Sequence, residues 1–137
     1  MRRLLFPVLL TAAAALCAER PELNGTWQLS SSNEGKLKFE TLLIQQSPDS
    51  IKITESGGKE KPVDLACGVD GQECKLKEGD ISFWYNGETL VMMETSHSHV
   101  VTKTLMAPAP DGKTLSLEVT RVAPPGPHYT YTFKKQP

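Results

Sequence analysis

Apolar and polar residues alternate along short runs of this sequence, and closely spaced turn signals separate the runs. In the run at 80–86, Ile81, Phe83 and Tyr85 fall on one face of an extended chain and Trp84 falls on the other. No segment keeps a helical period of apolar residues. Because one apolar and one polar face are typical of antiparallel sheet, the sequence predicts an all-β fold.

The number and order of these runs indicate whether the sheet is open or closed. They give eight or nine strands in a simple up-and-down order, and such a sheet must protect its two edges. Closure into a barrel removes the edges, so we predict a single antiparallel β-barrel domain over residues 19–137. Alternation assigns these side chains to its interior: Trp27, Leu29, Leu42, Ile44, Ile53, Leu65, Phe83, Met92, Leu117 and Tyr131.

The first 18 residues predict export. Arg2 and Arg3 form a positive start, and residues 4–16 form an apolar stretch that is too short for a stable membrane span. Ala18 is a small residue suited to the position before a cleavage site. Lipid attachment at Cys17 is less favoured, because a leucine precedes it where a small residue is expected. We therefore predict a signal peptide over residues 1–18 and a periplasmic or secreted mature chain.

Removal of residues 1–18 changes the charge balance. The full sequence has 15 basic and 16 acidic residues, and loss of Arg2 and Arg3 leaves 13 basic residues and a net charge of −3 with neutral histidines. The lysines are scattered among acidic residues, which argues against nucleic acid and anionic membrane surfaces as partners. We expect a monomer without a stable membrane span.

Cys67 and Cys74 form an even pair in the predicted mature chain, which favours a disulfide over a metal site. They flank Asp70-Gly71, a preferred two-residue hairpin turn. Counting outward from that turn places the two cysteines opposite each other on antiparallel strands, at a separation that a disulfide accepts. The sequence therefore predicts a Cys67–Cys74 disulfide, and two reduced, buried thiols are the alternative.

Trp27 and Arg121 form a second predicted pair. Trp27 lies on the first strand, and Arg121 continues the inward alternation of Leu117 and Val119 near the last strand. Closing the barrel makes the first and last strands neighbours, so the guanidinium is expected to stack on the indole, with Trp27 closing the barrel floor. The alternative is that Arg121 reaches a strand end and extends to water.

The same residues carry a resemblance to a known family. Asn24-Gly25-Thr26-Trp27 near the start and Arg121 near the end resemble the lipocalin signature of a Gly-x-Trp and a late arginine. LNGTWQL, SFWYNGETLV and DGKTLSLEV more closely resemble small exported lipocalin-like (calycin-type) proteins of bacteria. The resemblance implies an eight-stranded barrel in which Gly25, Trp27 and Arg121 are structural, and carriage of a small apolar molecule. The Thr-Asp-Tyr loop and the C-terminal helix of lipocalins are not found, so it implies a fold more than a function.

No catalytic constellation is defined by spacing. The sequence has no Gly-x-Ser-x-Gly elbow, and its acidic residues are too dispersed to define a pair for glycoside hydrolysis. His97 and His99, with Glu94 nearby, suggest a divalent metal site, but zinc sites recruit three or four ligands and no third is set by spacing. We therefore prefer solvent-facing histidines and predict no enzymatic activity, no cofactor and no metal.

Two functions fit a small exported barrel. The first is a non-enzymatic carrier that holds an apolar or amphipathic small molecule inside the barrel. Its candidate ligand-binding residues are Phe83, Tyr85, Met92, Thr102, Leu117 and Tyr131. The alternative is a protein-interaction module, such as an exported inhibitor or envelope scaffold, with a filled barrel. Its candidate loops are SSSNEGK at 30–36, the Cys67–Cys74 hairpin and the PPGP turn at 124–127. Alternation does not determine whether the barrel is hollow.

Overall fold

The computed structural model describes residues 20–33 and 36–137. The predicted signal peptide and Cys17 lie outside these residues, as do Glu34 and Gly35 of the predicted first loop. The strands, in chain order, are β1 (Gly25–Ser32), β2 (Thr41–Gln46), β3 (Ser50–Ser56), β4 (Val63–Gly68), β5 (Cys74–Leu76), β6 (Gly79–Asn86), β7 (Thr89–Ser96), β8 (Val101–Pro108), β9 (Thr114–Ala123) and β10 (His128–Lys135).

The strands form one antiparallel sheet that nearly closes into a barrel. Its order is β4-β3-β2-β1-β10-β9-β8-β7-β6-β5, so the first and last strands pair. In that pairing Trp27 lies opposite Lys135, and Leu29 lies opposite Phe133. The two edges of the sheet are β4 and β5, which are consecutive in the chain. The predicted all-β, up-and-down barrel is confirmed.

The described chain has ten strands instead of the predicted eight or nine. The strand that alternation cannot reveal is β5, which pairs with β6 from Cys74 opposite Ile81 to Leu76 opposite Gly79. Three residues are too few to show an alternation of apolar and polar side chains.

The barrel interior holds one apolar core. Of the side chains that alternation assigns to the interior, all but Leu29 are buried in this core, and half-buried Leu29 packs against it. Ile44, Ile53 and Leu65 lie opposite one another on β2, β3 and β4, so their side chains form a continuous apolar row on the inner face. Full burial of each such side chain stabilises the fold by about 1.5–3 kcal/mol relative to exposure.

The Cys67–Cys74 disulfide joins the two edges of the sheet across the seam between β4 and β5. Its cysteines have Cα atoms 5.8 Å apart. Within the described residues, β4 pairs with β3 and β5 pairs with β6, and no ladder connects β4 to β5. The predicted disulfide is confirmed, and it acts as a covalent closure of the barrel.

The segment between the two cysteines differs from the predicted two-residue hairpin. Gly71 has a φ of 81°, but Asp70 does not have the positive φ that a type I′ turn requires. Instead, the Asp70 carboxylate accepts a hydrogen bond from the Gln72 N–H at 3.1 Å, and Asp70 forms a bridge with Trp84 of β6. The segment is therefore held against β6 and does not form a free hairpin.

Candidate functional site

One end of the barrel is closed by the segment that precedes β1. Leu23 is fully buried, and its carbonyl accepts a hydrogen bond from Trp27 Nε1 at 2.9 Å. The Gln46 side chain accepts a hydrogen bond from the Leu23 N–H at 2.7 Å and donates one to the Pro21 carbonyl at 2.9 Å. Trp27, Leu23 and Gln46 thus form a bonded floor at this closed end.

The cation that covers Trp27 is Lys135. Its Nζ lies 5.6 Å from the centroid of the Trp27 ring. Gly25, which has a φ of 136°, leaves room for the lysine stem, because a Cβ at this position would lie 3.0 Å from Lys135 Cε. The Gly-x-Trp motif therefore supplies both the aromatic ring and the space for the cation that covers it.

Arg121 does not form the expected stack on Trp27. It is exposed, and its Nε donates a hydrogen bond to the Pro124 carbonyl at 3.2 Å. Lys134, the neighbour of Lys135, pairs with Thr114 at the start of β9. Thr114 therefore lies at the Trp27 end of the barrel. Arg121 is seven residues further along β9, and a strand rises about 3.3 Å per residue, so Arg121 lies near the opposite end of the barrel from Trp27. The alternative, an arginine that reaches a strand end, is the arrangement found.

The open end of the barrel contains a cavity of about 830 Å³ next to the seam. Its lining includes apolar Phe39, Val63 and Leu65 together with polar Glu55, Glu94 and Thr102. The Phe39 ring stacks on the buried Phe133 ring, with centroids 6.3 Å apart, which anchors this wall to the core. The volume lies in the range of pockets for small molecules. The barrel is thus packed at the closed end and hollow at the open end.

Two carboxylates enter this cavity from strands on either side of the seam. Glu55 on β3 lies two residues after buried Ile53, and Glu94 on β7 lies two residues after buried Met92, so alternation directs both inward. The ion pairs among the described residues are Lys38–Glu60 and Lys52–Asp64. Neither Glu55 nor Glu94 has a cationic partner within that part of the chain.

Burial, and then repulsion from Glu94, raise the pKa of Glu55 from 4.5 to about 7. Burial also raises the pKa of Glu94. A carboxylate withdrawn from water is stabilised by a proton, a cation or a hydrogen-bond donor. The Glu55 and Glu94 carboxylates would therefore be stabilised by a proton, a cation or a hydrogen-bond donor bound in the cavity.

The other charged side chains of the cavity lie at its rim. Three rim lysines, Lys38, Lys61 and Lys77, are exposed. Four rim carboxylates accompany them: Glu60, Asp64 and Glu78 are exposed, and Asp80 is half-buried. Since the rim lysines are outnumbered by rim carboxylates and the two interior charges are both acidic, the cavity as a whole is negative.

The six residues predicted to bind a ligand fall into three groups. Thr102 lines the cavity and lies opposite Glu94 in the β7–β8 ladder. Tyr85 lies toward the closed end, where its hydroxyl accepts a hydrogen bond from Gln46 Nε2 at 2.9 Å. The remaining four, Phe83, Met92, Leu117 and Tyr131, are buried in the core. The structure thus brings Thr102 alone of the six into the cavity lining, and ligand contact by the others stays a prediction.

Glu55 and Glu94 line the cavity but are absent from the six predicted ligand-binding residues, as are the apolar lining residues Phe39, Val63 and Leu65. The sequence contains a signal for both, because Ile51 and Ile53 precede Glu55 at a period of two, as Leu90 and Met92 precede Glu94. An acidic residue at the end of an apolar run normally marks the point where a strand leaves the core. For this reason the inward alternation of Glu55 and Glu94 is easily read as the end of a strand.

His97 and His99 lie in the tight turn between β7 and β8. Both are exposed; His97 Nε2 is 3.0 Å from the Lys77 carbonyl oxygen, and His99 has a φ of 63°. The arrangement agrees with solvent-facing histidines. Over residues 20–33 and 36–137, no three metal-ligating side chains form a group.

Comparisons with known proteins show the fold. No protein-family model and no curated protein sequence matches the chain. The structure is similar to the ligand-free crystal structure of lipid binding protein 8 from Caenorhabditis elegans, with a TM-score of 0.65 and 12% sequence identity over 82% of this chain and 94% of that chain. This likeness supports the antiparallel β-barrel fold. In the part of the chain that the structure describes, no helix combines the length and hydropathy needed to cross a bilayer.

Proposed function

We propose that this protein is an exported, non-enzymatic carrier that binds one small amphipathic molecule in the cavity at the open end of the barrel. The observation that carries the proposal is a cavity of about 830 Å³ above a packed core. A rigid core keeps the walls in place while the cavity holds the ligand, an arrangement typical of small-molecule sites. The similarity to a protein named for lipid binding is consistent with such a role.

The lining of the cavity suits an amphipathic ligand. Phe39, Val63 and Leu65 offer apolar surface, whose burial against a ligand contributes about 25 cal/mol per Å². Thr102 offers a hydroxyl on the same wall as Glu94. We assign ligand contact to Thr102 among the residues predicted from sequence, and we assign to the buried ones the support of the cavity from within the core.

Export is part of the proposal. Disulfides persist in oxidising compartments, so the Cys67–Cys74 bond favours a periplasmic or secreted protein. The predicted signal peptide over residues 1–18 provides a route to such a compartment.

A neutral fluorescent probe tests the carrier function. We expect N-phenylnaphthylamine, which gains fluorescence in apolar surroundings, to bind the mature protein with one-to-one stoichiometry. Thr102→Trp fills the cavity from its wall and is expected to abolish the signal, with an unchanged circular dichroism spectrum. Ser116→Trp, on the exposed face of β9, is the matched control and is expected to bind like the parent protein. Equal binding by both variants would place the probe elsewhere and contradict the proposal.

A further inference from the structure

We infer that the ligand of this cavity is an amphipathic cation, such as a long-chain ammonium compound, and that Glu55 and Glu94 together bind its charged head. The inference rests on the proposed carrier function and names the chemical class of its ligand. It follows from the placement of two inward carboxylates in a cavity whose three described lining lysines, Lys38, Lys61 and Lys77, are all exposed at the rim.

The two carboxylates lie deep enough to contact a ligand head group. In the β2–β3 ladder Glu55 lies opposite Leu42, and in the β6–β7 ladder Glu94 lies opposite Ile81; both partners are fully buried. Each carboxylate therefore begins at the level of the packed core, not at the rim. A head group between them would be at the inner end of the cavity, with its tail directed along the apolar wall.

An anionic ligand is disfavoured by the same arrangement. A carboxylate head would face two like charges, and close like charges repel more strongly in a medium of low dielectric. The cations at the open end do not offset this repulsion, because Lys38, Lys61 and Lys77 are exposed at the rim and the Arg121 guanidinium donates to the Pro124 carbonyl. The site is therefore opposite in charge to one that would select fatty-acid anions.

A neutral apolar ligand also fits less well than a cation. Filling the cavity removes water from Glu55 and Glu94, and a desolvated carboxylate without a partner is costly. An ammonium head replaces that water with charge-assisted hydrogen bonds or close ionic contact. The Thr102 hydroxyl, opposite Glu94, provides a further acceptor for an N–H donor.

Ionisation of the pair determines the pH dependence of binding. A cation binds the ionised carboxylates, so affinity for a permanently charged ligand should rise with pH as Glu55 loses its proton near pH 7. The charged and titratable groups nearest the pair are Lys38, Lys61 and Lys77 at the rim, Glu60, Asp64, Glu78 and Asp80 beside them, Arg121 opposite Thr102 in the β8–β9 ladder, and the exposed His97 and His99 of the β7–β8 turn.

The test compares three ligands that share one alkyl chain and differ in the head: dodecyltrimethylammonium, dodecanol and dodecanoate. Each is titrated into the full mature protein at pH 8 by displacement of N-phenylnaphthylamine, the two charged compounds below their micelle concentrations and dodecanol below its solubility limit. We expect the ammonium compound to bind at least about tenfold more tightly than dodecanol, the equivalent of one good ionic contact, and dodecanoate to bind most weakly. Its quaternary head keeps its charge at every pH, so any change between pH 5.5 and 8.5 reports on the protein.

The double variant Glu55→Gln/Glu94→Gln preserves the shape of the site and removes its charge. We expect it to lose the preference for the ammonium compound and its pH dependence, while dodecanol binds at least as tightly as in the parent protein, because no carboxylate is desolvated. Glu118→Gln, at an exposed position on β9, is the control and should leave all three affinities unchanged. Retention of the ammonium preference in the double variant, or tighter binding of dodecanoate by the parent protein, would overturn the inference and leave the carrier function intact. Failure of all three ligands to displace the probe would overturn both.

Discussion

Lys135 covers the ring of Trp27, with its Nζ 5.6 Å from the ring centroid, and the two residues are also direct partners in the β1–β10 ladder. This relationship joins the first strand of the barrel to the last. A late arginine is expected in this role from the resemblance to lipocalins, but here a lysine at the end of β10 provides the cation. The closing contact of the barrel therefore depends on residues at the two ends of the described chain.

Lys135→Met is expected to lower the free energy of unfolding by about 0.5–1 kcal/mol, because it removes the charge above the indole but retains an apolar stem. Chemical denaturation of the mature protein measures the change. Lys134→Met, an exposed neighbour on the same strand, is the control and is expected to have little effect. Arg121→Met is expected to have little effect as well, and a larger loss there than at Lys135 would contradict this account of the closed end.

Gly25→Ala is expected to destabilise the fold by about 1–3 kcal/mol, because a side chain is strained at a φ of 136° and its Cβ meets the Lys135 stem. Gly112→Ala is the matched control: that glycine also has a positive φ, of 70°, but a Cβ there would have no neighbour within 4 Å. Both substitutions are measured in the parent protein and in Lys135→Ala. If truncation of the lysine reduces the cost at Gly25 but not at Gly112, the close approach of Lys135 accounts for the difference.

Cys67→Ser/Cys74→Ser is expected to lower the free energy of unfolding by about 2 kcal/mol, the stabilisation anticipated for so short a closed loop. The same loss should appear in the parent protein after addition of a reductant, and the reductant should not affect the double variant. Denaturant unfolding under both conditions gives the comparison. Hydrogen exchange should show the added opening at β4 and β5, since the disulfide joins these two edges. Uniform loss of protection over all strands would be inconsistent with a local closure of the seam.

Stability should fall as pH rises from about 4.5 to about 7. Burial and the Glu94 charge raise the pKa of Glu55 to about 7 in the folded protein, whereas the unfolded chain loses this proton near its ordinary value of 4.5. The folded state thus binds the additional proton within this window, so its advantage is complete below the window and is lost as pH rises through it. Because Glu55 is only partly buried, we expect a change of about 1–2 kcal/mol, below the limit that the full pKa shift would allow.

Glu55→Gln should remove most of that pH dependence and stabilise the protein at pH 8, where the parent protein contains a buried charge. Thermal unfolding of both proteins from pH 4 to 8.5 measures the difference between the two curves. Glu118→Gln controls for the loss of a carboxylate at an exposed position. If the difference between Glu55→Gln and the parent is constant across this range, Glu55 does not titrate as described.

Much of the fold is predictable from sequence because alternation records which side of a strand is buried. Ile53, Leu65 and Phe83 are each placed correctly in the interior by that pattern. The two cysteines are also paired correctly, although the turn between them is not the expected one. That turn depends on the bridge from Asp70 to Trp84, a contact that the local sequence does not encode.

The candidate site is less predictable because alternation records a face but not a height within the barrel. Phe83 and Thr102 both point inward, but the first lies in the packed core and the second lines the cavity. Alternation likewise assigns Arg121 to the inner face of β9 but does not give its position along the barrel axis. Arg121 lies at the end of the barrel far from Trp27. Position along the barrel axis depends on the tilt and register of all the strands, which closure of the sheet determines.

The closed floor also determines how the molecule is oriented. The Gln136 N–H donates to the Thr26 carbonyl at 2.8 Å, and the segment before β1 crosses the same floor, so both ends of the described chain leave the barrel on the side away from the cavity. A chain held at a surface through either end would direct the mouth of its cavity outward, toward the surrounding fluid. A label or fusion partner at either end would likewise leave the entrance unobstructed.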